Sequence, residues 1–377
     1  MSNKDQWFYP DELSGDLRDT GLSPAQITET ITAAWEYTRA SIPEFTNWER
    51  YLAEVRFNAI AIVAECSGDL LDIASEGPVL GYDLDELIDT LFAGTPGHES
   101  MAREFRGALL FMQEKTSGRR DTLLWHRYAN ALAYSPRDWF RIRDCDGLAR
   151  FTMAAALACN DIDTDWPQEE EFRFLAELVL ILYDTVAFYK HRAEGEICNT
   201  WAYADPSLRQ EVYGQFREAL WALDTAWSRR PDRRCLTTFI RNVGGPIHMT
   251  MRRYRFVEDG LTIGEPETTQ MVDYARRHAK LWYRLDAIPE TDRADEPFHK
   301  IMTDKDRLLF DGFADMLKRP EEENCSHCHR QGVYGTDDLG QFSGVQLCSA
   351  CLQDWTAYLT TFAARARGTL PLAFAKA

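Results

Sequence analysis

Apolar residues recur at helical spacing along nearly the whole chain, and alternating, strand-like stretches are scarce outside the last fifth. The first helix is predicted to begin at Ser23-Pro24, where proline suits the first turn, and to end near Ser41-Ile42-Pro43. Further helices are predicted at about 47–74, 83–93, 98–116, 120–133, 137–159, 168–193, 206–228, 232–256, 266–287 and 295–318. The pattern therefore predicts an all-α fold.

The character of the sequence changes after Pro320. Polar sequence that contains cysteine and glycine replaces the helical pattern there, and helix returns at about residue 351. We therefore predict a helical domain at 1–320, followed at 321–377 by a small metal-binding module with a closing helix.

Two cysteine pairs in this module, Cys325-x2-Cys328 and Cys348-x2-Cys351, are separated by 19 residues. Four thiolates at this spacing suit the tetrahedral geometry of a structural Zn2+ site. Either His327 or His329 could replace one ligand. A redox dithiol or a catalytic zinc is disfavoured, because four protein ligands leave no open position. We expect a structural zinc that fastens the C-terminal segment.

Composition narrows the possible partners. The chain has 377 residues, 45% of them hydrophobic, and a formal net charge of −18, which argues against nucleic acid and anionic membrane surfaces as partners. The first twenty residues contain no apolar leader, and nine cysteines then indicate a reducing compartment, by default the cytosol. The longest apolar stretch, Phe172 to Tyr189, is interrupted by Glu177 and Asp184 and is too short to span a bilayer.

The segment NAIAIVAECSGDLLD (residues 58–72) combines an apolar predicted helix with acidic residues. Residues 59–64 are apolar on every side, which predicts a helix buried all round. On a continuous helix Glu65, Asp69 and Asp72 share one face. Carboxylates on a buried face must be paired, protonated or metal-bound, unless the helix surfaces here and the acids are solvated. Gly68 leaves room for the close approach of another segment.

The segment Glu65-Cys66-Ser67-Gly68-Asp69 is similar to the D-D-x-x-D motif of class I terpene synthases, whose carboxylates bind Mg2+. The second metal motif of that class places Asn, Ser and Glu at positions that here are Tyr183, Ala187 and His191. Because these are poor Mg2+ ligands, a second metal site would use Asp184, Glu194 or Glu196. The alternative is that Asp184 is buried in an ion pair with Lys190 or an arginine.

Basic residues that could hold a diphosphate occur in two regions. One predicted helix start carries Arg137, Arg141 and Arg143, and Arg141 lies where terpene synthases have a diphosphate-sensing arginine. The late Arg-Tyr pair of that class is matched by Arg252, Arg253 and Tyr254, and its motif lysine by Lys190. Arginine forks match phosphate oxygens bidentately. Surface pairing with the sixty acids of the chain is the alternative.

Longer strings carry a more specific resemblance. They include WEYTR (35–39), LGYDLD (80–85), AFYKHRAEGE (187–196), MRRYRFVE (251–258) and the paired cysteines. From about residue 7 to 355 the chain resembles the fungal α-ionylideneethane synthases of abscisic acid biosynthesis. The resemblance implies an atypical class I sesquiterpene synthase that acts on farnesyl diphosphate with Mg2+. It also implies functional roles for Glu65 and Glu29.

In the product of that family the ring closes at the chain end far from the diphosphate. Departure of the diphosphate alone therefore does not place the cation where the ring forms. The resemblance implies ionisation, proton loss to a neutral polyene, reprotonation of the far end and cyclisation, which require a general acid and base. Glu65, Glu29 and Asp184 are the candidates for catalysis. Alternatives are a different C15 product, a non-catalytic helical protein whose zinc module binds a partner, and a prenyltransferase. The absence of two full D-D-x-x-D motifs disfavours the last.

Overall fold

The computed structural model describes residues 9–65, 67–116, 122–193, 196–247, 296–330, 342 and 344–374, without the side chains of residues 189, 190, 193, 330 and 372. The fold is all-α, as predicted. The helices of the described residues are α1 Pro24–Ser41, α2 Trp48–Ala64, α3 Leu84–Phe92, α4 His98–Thr116, α5 Leu123–Leu132, α6 Pro136–Asp146, α7 Ala149–Ala158, α8 Glu169–Ala193, α9 Pro206–Trp227, α10 Pro231–Val243, α11 Glu296–Thr303, α12 Lys305–Leu308, α13 Phe313–Lys318, α14 Ser349–Thr360, α15 Phe362–Thr369 and α16 Pro371–Phe374. A short antiparallel pair, β1 His329–Arg330 and β2 Val345–Gln346, lies between α13 and α14.

Capping residues fix where the first two helices begin. The Ser23 side chain accepts a hydrogen bond from the backbone N–H of Gln26, and the Gln26 side chain accepts one from the backbone N–H of Ser23. This capping box stands directly before Pro24, which occupies the first helical position. Asn47 caps α2 by accepting from the backbone N–H of Arg50.

The predicted helix at 47–74 is wrong beyond Ala64, where α2 ends and a 3-10 turn at Gly68–Leu70 follows. The cause is the contact of this turn with α4. A Cβ on Gly68 would lie 2.5 Å from Thr116 Oγ1 and 2.7 Å from the carbonyl oxygen of Gln113. The backbone N–H of Gly68 donates to Thr116 Oγ1 at 3.1 Å. The close approach predicted at Gly68 is thus confirmed, and it diverts the chain from the helix axis.

Two other predicted helices are divided in the structure. The one at 137–159 is interrupted at Gly147 and Leu148, and Leu148 has a left-handed backbone with φ 50°. The one at 295–318 consists of the three short helices α11, α12 and α13. The predicted helix at 266–287, and the part of 232–256 beyond residue 247, lie outside the described residues.

The C-terminal part of α2 is apolar on all sides. Residues 59–64 of α2 have exposed fractions of 0–8%, which confirms the prediction of a fully buried helix. α2 packs against α1, α3 and α4, while α8 packs against α6, α7 and α10. Among the helices of the described ranges, none has the length and apolar character that crossing a membrane requires.

The helices after the cysteine pairs pack back onto the bundle. The ring of Trp355 in α14 meets Trp139 edge-to-face with centroids 5.4 Å apart. In α8 the buried carboxylate of Glu177 accepts a hydrogen bond from the Tyr358 hydroxyl at 2.5 Å and one from Arg365 at 2.6 Å. One buried carboxylate therefore ties α14 and α15 to α8, the longest helix among the described residues.

Candidate active site and metal cluster

A cavity of about 80 Å³ lies between α1, α2, α4, α6, α8 and α10. Its apolar wall includes Ile62, Leu180 and Phe239. Its acidic and basic side chains are Glu65, Lys115, Arg143, Asp146, His191 and Glu196. The cavity has room for several water molecules, so a larger ligand requires its lining to move. Helices from both halves of the sequence thus place a cluster of charged side chains next to an apolar cavity wall.

Arg143 organises the charged cluster. Its Nη1 donates to Asp146 Oδ2 and its Nη2 to Asp184 Oδ1, both at 2.7 Å. Burial opposes the charge on Arg143, but Asp184 and Asp146 outweigh that cost and hold the pKa of the guanidinium well above its ordinary value. Arg143 is thus a permanent cation at the cavity wall, held by two buried carboxylates.

Lys115 supplies a second cation from α4. Its Nζ lies 3.3 Å from Glu196 Oε2 and 3.9 Å from Asp146 Oδ1. All three side chains are at least 90% buried. The ammonium group therefore stands between two carboxylates that also line the cavity, a place that favours positive charge.

Glu65 follows the last residue of α2 and lines the cavity, together with Asn58, Ala61 and Ile62 from the same helix. The predicted shared face of Glu65, Asp69 and Asp72 is wrong, because α2 has already ended before Asp69. Asp69 and Asp72 are exposed and are not part of the cavity wall. For these two acids the structure favours the solvated alternative.

Asp184 is completely buried and paired with an arginine, which is the alternative that the sequence left open. Its Oδ1 accepts from Arg143, and its Oδ2 accepts from both the backbone N–H and the hydroxyl of Thr200, each at 2.7 Å. Because both carboxylate oxygens already have partners and Asp184 is not part of the cavity wall, the geometry favours a structural role.

Other residues predicted for the site lie elsewhere. Glu29 is exposed on α1. Arg141 hydrogen-bonds to Glu104, and its guanidinium carbon lies 3.5 Å from the ring centroid of Phe310, away from the cavity wall. Arg143 reaches the cavity instead. It lies two positions after Arg141 on α6, and side chains two positions apart on a helix point in directions that differ by about 200°. The side chain of Lys190, together with Arg252, Arg253 and Tyr254, lies outside the described residues.

Lys115 and Asp146 are residues that the sequence analysis missed. Lys115 follows the apolar positions of α4, and Asp146 ends the charged segment RIRDCD of α6. The available signal was a charged residue inside a segment whose neighbours are buried, since such a charge needs a partner or a ligand. No spacing rule connects these two positions to Glu65 or Glu196.

The four cysteines form the second site. The Sγ atoms of Cys325, Cys328, Cys348 and Cys351 all lie within 4.8 Å of one another. The distance between the sulfurs of Cys325 and Cys348 is 3.8 Å, close to the edge of a tetrahedron with metal–sulfur bonds of about 2.3 Å. The backbone N–H of Cys348 donates to Cys328 Sγ at 3.3 Å. The β1–β2 pairing brings the two cysteine pairs together, and the cluster can hold a metal ion.

The fold and the two sites define an all-α helical bundle that encloses a charged cavity and carries a four-cysteine cluster near its C-terminal end. Within that class, the chain belongs to the family described as α-ionylideneethane synthase aba3, whose model matches residues 5–372.

Three relatives illustrate the similarity. The chain is 47% identical to α-ionylideneethane synthase aba3 of Botryotinia fuckeliana strain B05.10, over 98% of this chain and 84% of that protein. It is 45% identical to α-ionylideneethane synthase abl3 of Leptosphaeria maculans, over 98% of this chain and 86% of that protein. It is 40% identical to the abl3 protein of Pyricularia oryzae strain Y34, over 97% of this chain and 83% of that protein. These similarities confirm the family resemblance noted from the sequence.

Proposed function

We propose that this chain is a sesquiterpene synthase that converts farnesyl diphosphate to α-ionylideneethane. The observation that carries the proposal is the cavity, in which a buried charged cluster adjoins an apolar wall. Such a site suits a substrate with a diphosphate at one end and a hydrocarbon chain at the other. The names of the relatives support the product.

We propose Glu65, Asp146 and Glu196 as the carboxylates that bind Mg2+. Their oxygens are the donors that Mg2+ prefers, and the ion commonly takes one or two carboxylates together with phosphate oxygens and water. The position of the Lys115 ammonium, 3.3 Å from Glu196, supports the fit, since it marks a place where positive charge is favoured. When bound, Mg2+ would neutralise the charge of the departing diphosphate.

The protein's own cations complete the arrangement. Lys115 would turn from its carboxylate partners to the diphosphate. Its ammonium group is a compact positive charge and is suited to binding a phosphate oxygen. Arg143 is a positioning residue in this proposal, because both of its terminal nitrogens are engaged in holding Asp146 and Asp184. The rings of Tyr37 and Tyr183 line the same cavity and would face the carbocation once the diphosphate has left.

Pyrophosphate release from farnesyl diphosphate, with and without Mg2+, tests this proposal. We expect Glu65→Gln to abolish Mg2+-dependent release while its circular dichroism stays that of the wild type. Asp69→Asn is the matched variant, since its carboxylate is exposed and off the cavity wall, and we expect normal release from it. Normal release from Glu65→Gln would refute the assignment of Glu65. Gas chromatography of the wild-type product decides which C15 hydrocarbon forms.

We also propose that the cysteine cluster binds Zn2+ in a structural role. Four thiolates at tetrahedral spacing fill the coordination sphere, which leaves no position for water or substrate. The adjoining contacts of α14 and α15 with Glu177 indicate what the ion stabilises, namely the packing of the C-terminal segment on α8.

A further inference from the structure

Glu54 is a buried acid of α2 that the proposed site does not use. Its exposed fraction is 1%. Its Oε1 accepts a hydrogen bond from Asn58 Nδ2 at 3.1 Å, and the same amide donates to Thr38 Oγ1 at 3.0 Å. Its Oε2 is buried and has no hydrogen-bond partner among the described residues. Since Oε1 is engaged as an acceptor, the neutral acid carries its proton on Oε2.

The surroundings keep this acid neutral. Burial raises the pKa of Glu54 to about 8, against the opposing effect of the hydrogen bond from Asn58. The titratable groups that face it are Tyr37 from α1, Tyr51 from α2 and Cys159 after α7. Burial raises the pKa of each of these groups above its ordinary value, so none of them ionises before Glu54 does.

Glu54 continues the stripe of α2 that lines the cavity. Asn58 and Ala61 follow it at i+4 and i+7 and belong to the cavity wall, and Glu65 follows at i+11. Eleven residues make about three helical turns, or roughly 16 Å along the axis. That length is comparable with an extended farnesyl chain. The ring of Tyr37 from α1 also lies at this cavity wall.

The present cavity ends at Asn58, one helical turn short of Glu54, and its volume of about 80 Å³ has room for several water molecules rather than for a chain of fifteen carbon atoms. A substrate held at Glu65 by its diphosphate must therefore extend the cavity. The direction along the stripe leads to Glu54, whose Oε2 has no hydrogen-bond partner among the described residues. A buried polar atom without a partner costs about 1–3 kcal/mol.

We propose that Glu54 is the general acid that protonates the far end of the neutral C15 polyene. This inference rests on the proposed function. The O–H bond of the acid breaks and leaves its electron pair on the carboxylate. The π pair of the terminal double bond forms the new C–H bond, and the neighbouring tertiary carbon becomes cationic. A second double bond closes the ring, and the Glu54 carboxylate takes the final proton, so polyene and product are isomers.

The test is the product mixture of Glu54→Gln with farnesyl diphosphate and Mg2+. Glutamine matches the shape of the neutral acid and keeps the acceptor for Asn58, so we expect wild-type stability. We expect pyrophosphate release within about twofold of the wild type, as the acid acts after ionisation. The cyclic hydrocarbon should fall at least tenfold, and an acyclic C15 isomer should take its place.

Two comparisons complete the design. Glu49→Gln removes an exposed acid from the first turn of α2, and its product should stay cyclic. In the wild type, the acyclic fraction should rise as the pH passes from 7 to 9.5, because the acid then loses its proton beforehand. This second measurement does not depend on the folding of any variant.

The outcomes separate the two proposals. No pyrophosphate release by the wild type would refute the proposed function itself. Normal release together with an unchanged cyclic product from Glu54→Gln would overturn the role of Glu54 alone. Loss of release in a folded Glu54→Gln would also overturn it, since an acid for the later step leaves ionisation intact. A wild-type product ratio that is flat across the pH range would count against it as well.

Discussion

Replacement of Gly68 by alanine tests how the end of α2 is positioned. The added Cβ would lie 2.5 Å from Thr116 Oγ1, and 2.7 and 2.8 Å from backbone atoms of Gln113. Because two of these atoms belong to the backbone of α4, a rotamer change cannot relieve the clash. The turn must move away and strain the hydrogen bonds from Gly68 to Thr116 and from Thr116 to the carbonyl of Ala64. We expect a loss of about 2–3 kcal/mol in the free energy of unfolding.

Urea unfolding followed by circular dichroism measures this loss, and pyrophosphate release measures its effect on Glu65, which precedes the turn. The matched control is Gly214→Ala in the middle of α9, where a Cβ meets nothing within 4 Å. Alanine should stabilise that exposed helical position by about 0.5–1 kcal/mol. The two Gly→Ala changes thus have opposite expected signs. Equal stability of Gly68→Ala and the wild type would refute the argument that this contact ends the helix.

Two further predictions concern the C-terminal segment. Cys348→Ser should lower the zinc content of the purified protein, measured by atomic emission, from about one ion per chain to well below one. The reason is that only three of the four thiolate ligands remain. Full zinc occupancy of this variant would contradict the assignment. Tyr358→Phe should cost about 1.5–3 kcal/mol of unfolding free energy, since the buried carboxylate of Glu177 then keeps only its bond from Arg365. An unchanged urea midpoint would show that this hydroxyl does not hold α14 on α8.

The helical character of the chain could be predicted from periodicity because burial imposes it directly. Residues 59–64 are apolar on every face of the helix, and in the structure other helices surround them. The division at Gly147 and Leu148 could not be predicted in the same way. Leu148 has a left-handed backbone that its residue type disfavours, so tertiary packing determines the break.

The site was harder to predict because motif spacing presumes a continuous helix. The i, i+4 relation of Glu65 and Asp69 holds only if the helix continues, and the contact of Gly68 with α4 ends it. Likewise, Arg141 and Arg143 are equivalent candidates by composition. Only the orientation of α6 decides that Arg143 lies at the cavity while Arg141 pairs with Glu104. The cysteine cluster was predictable, since its ligands are local in sequence and a single hairpin brings them together.

The two acids at either end of the α2 stripe illustrate how one helix can serve opposite steps of a reaction. Glu65 lines the same cavity as the cations Lys115 and Arg143. Glu54 lies about three turns away among neutral groups, where burial favours the protonated form. A reaction that begins with anion departure at one end of the substrate and continues with proton addition at the other needs this pair of environments. The rigid spacing of a buried helix keeps Glu65 and Glu54 apart. The groups at the diphosphate end therefore cannot take the proton from Glu54.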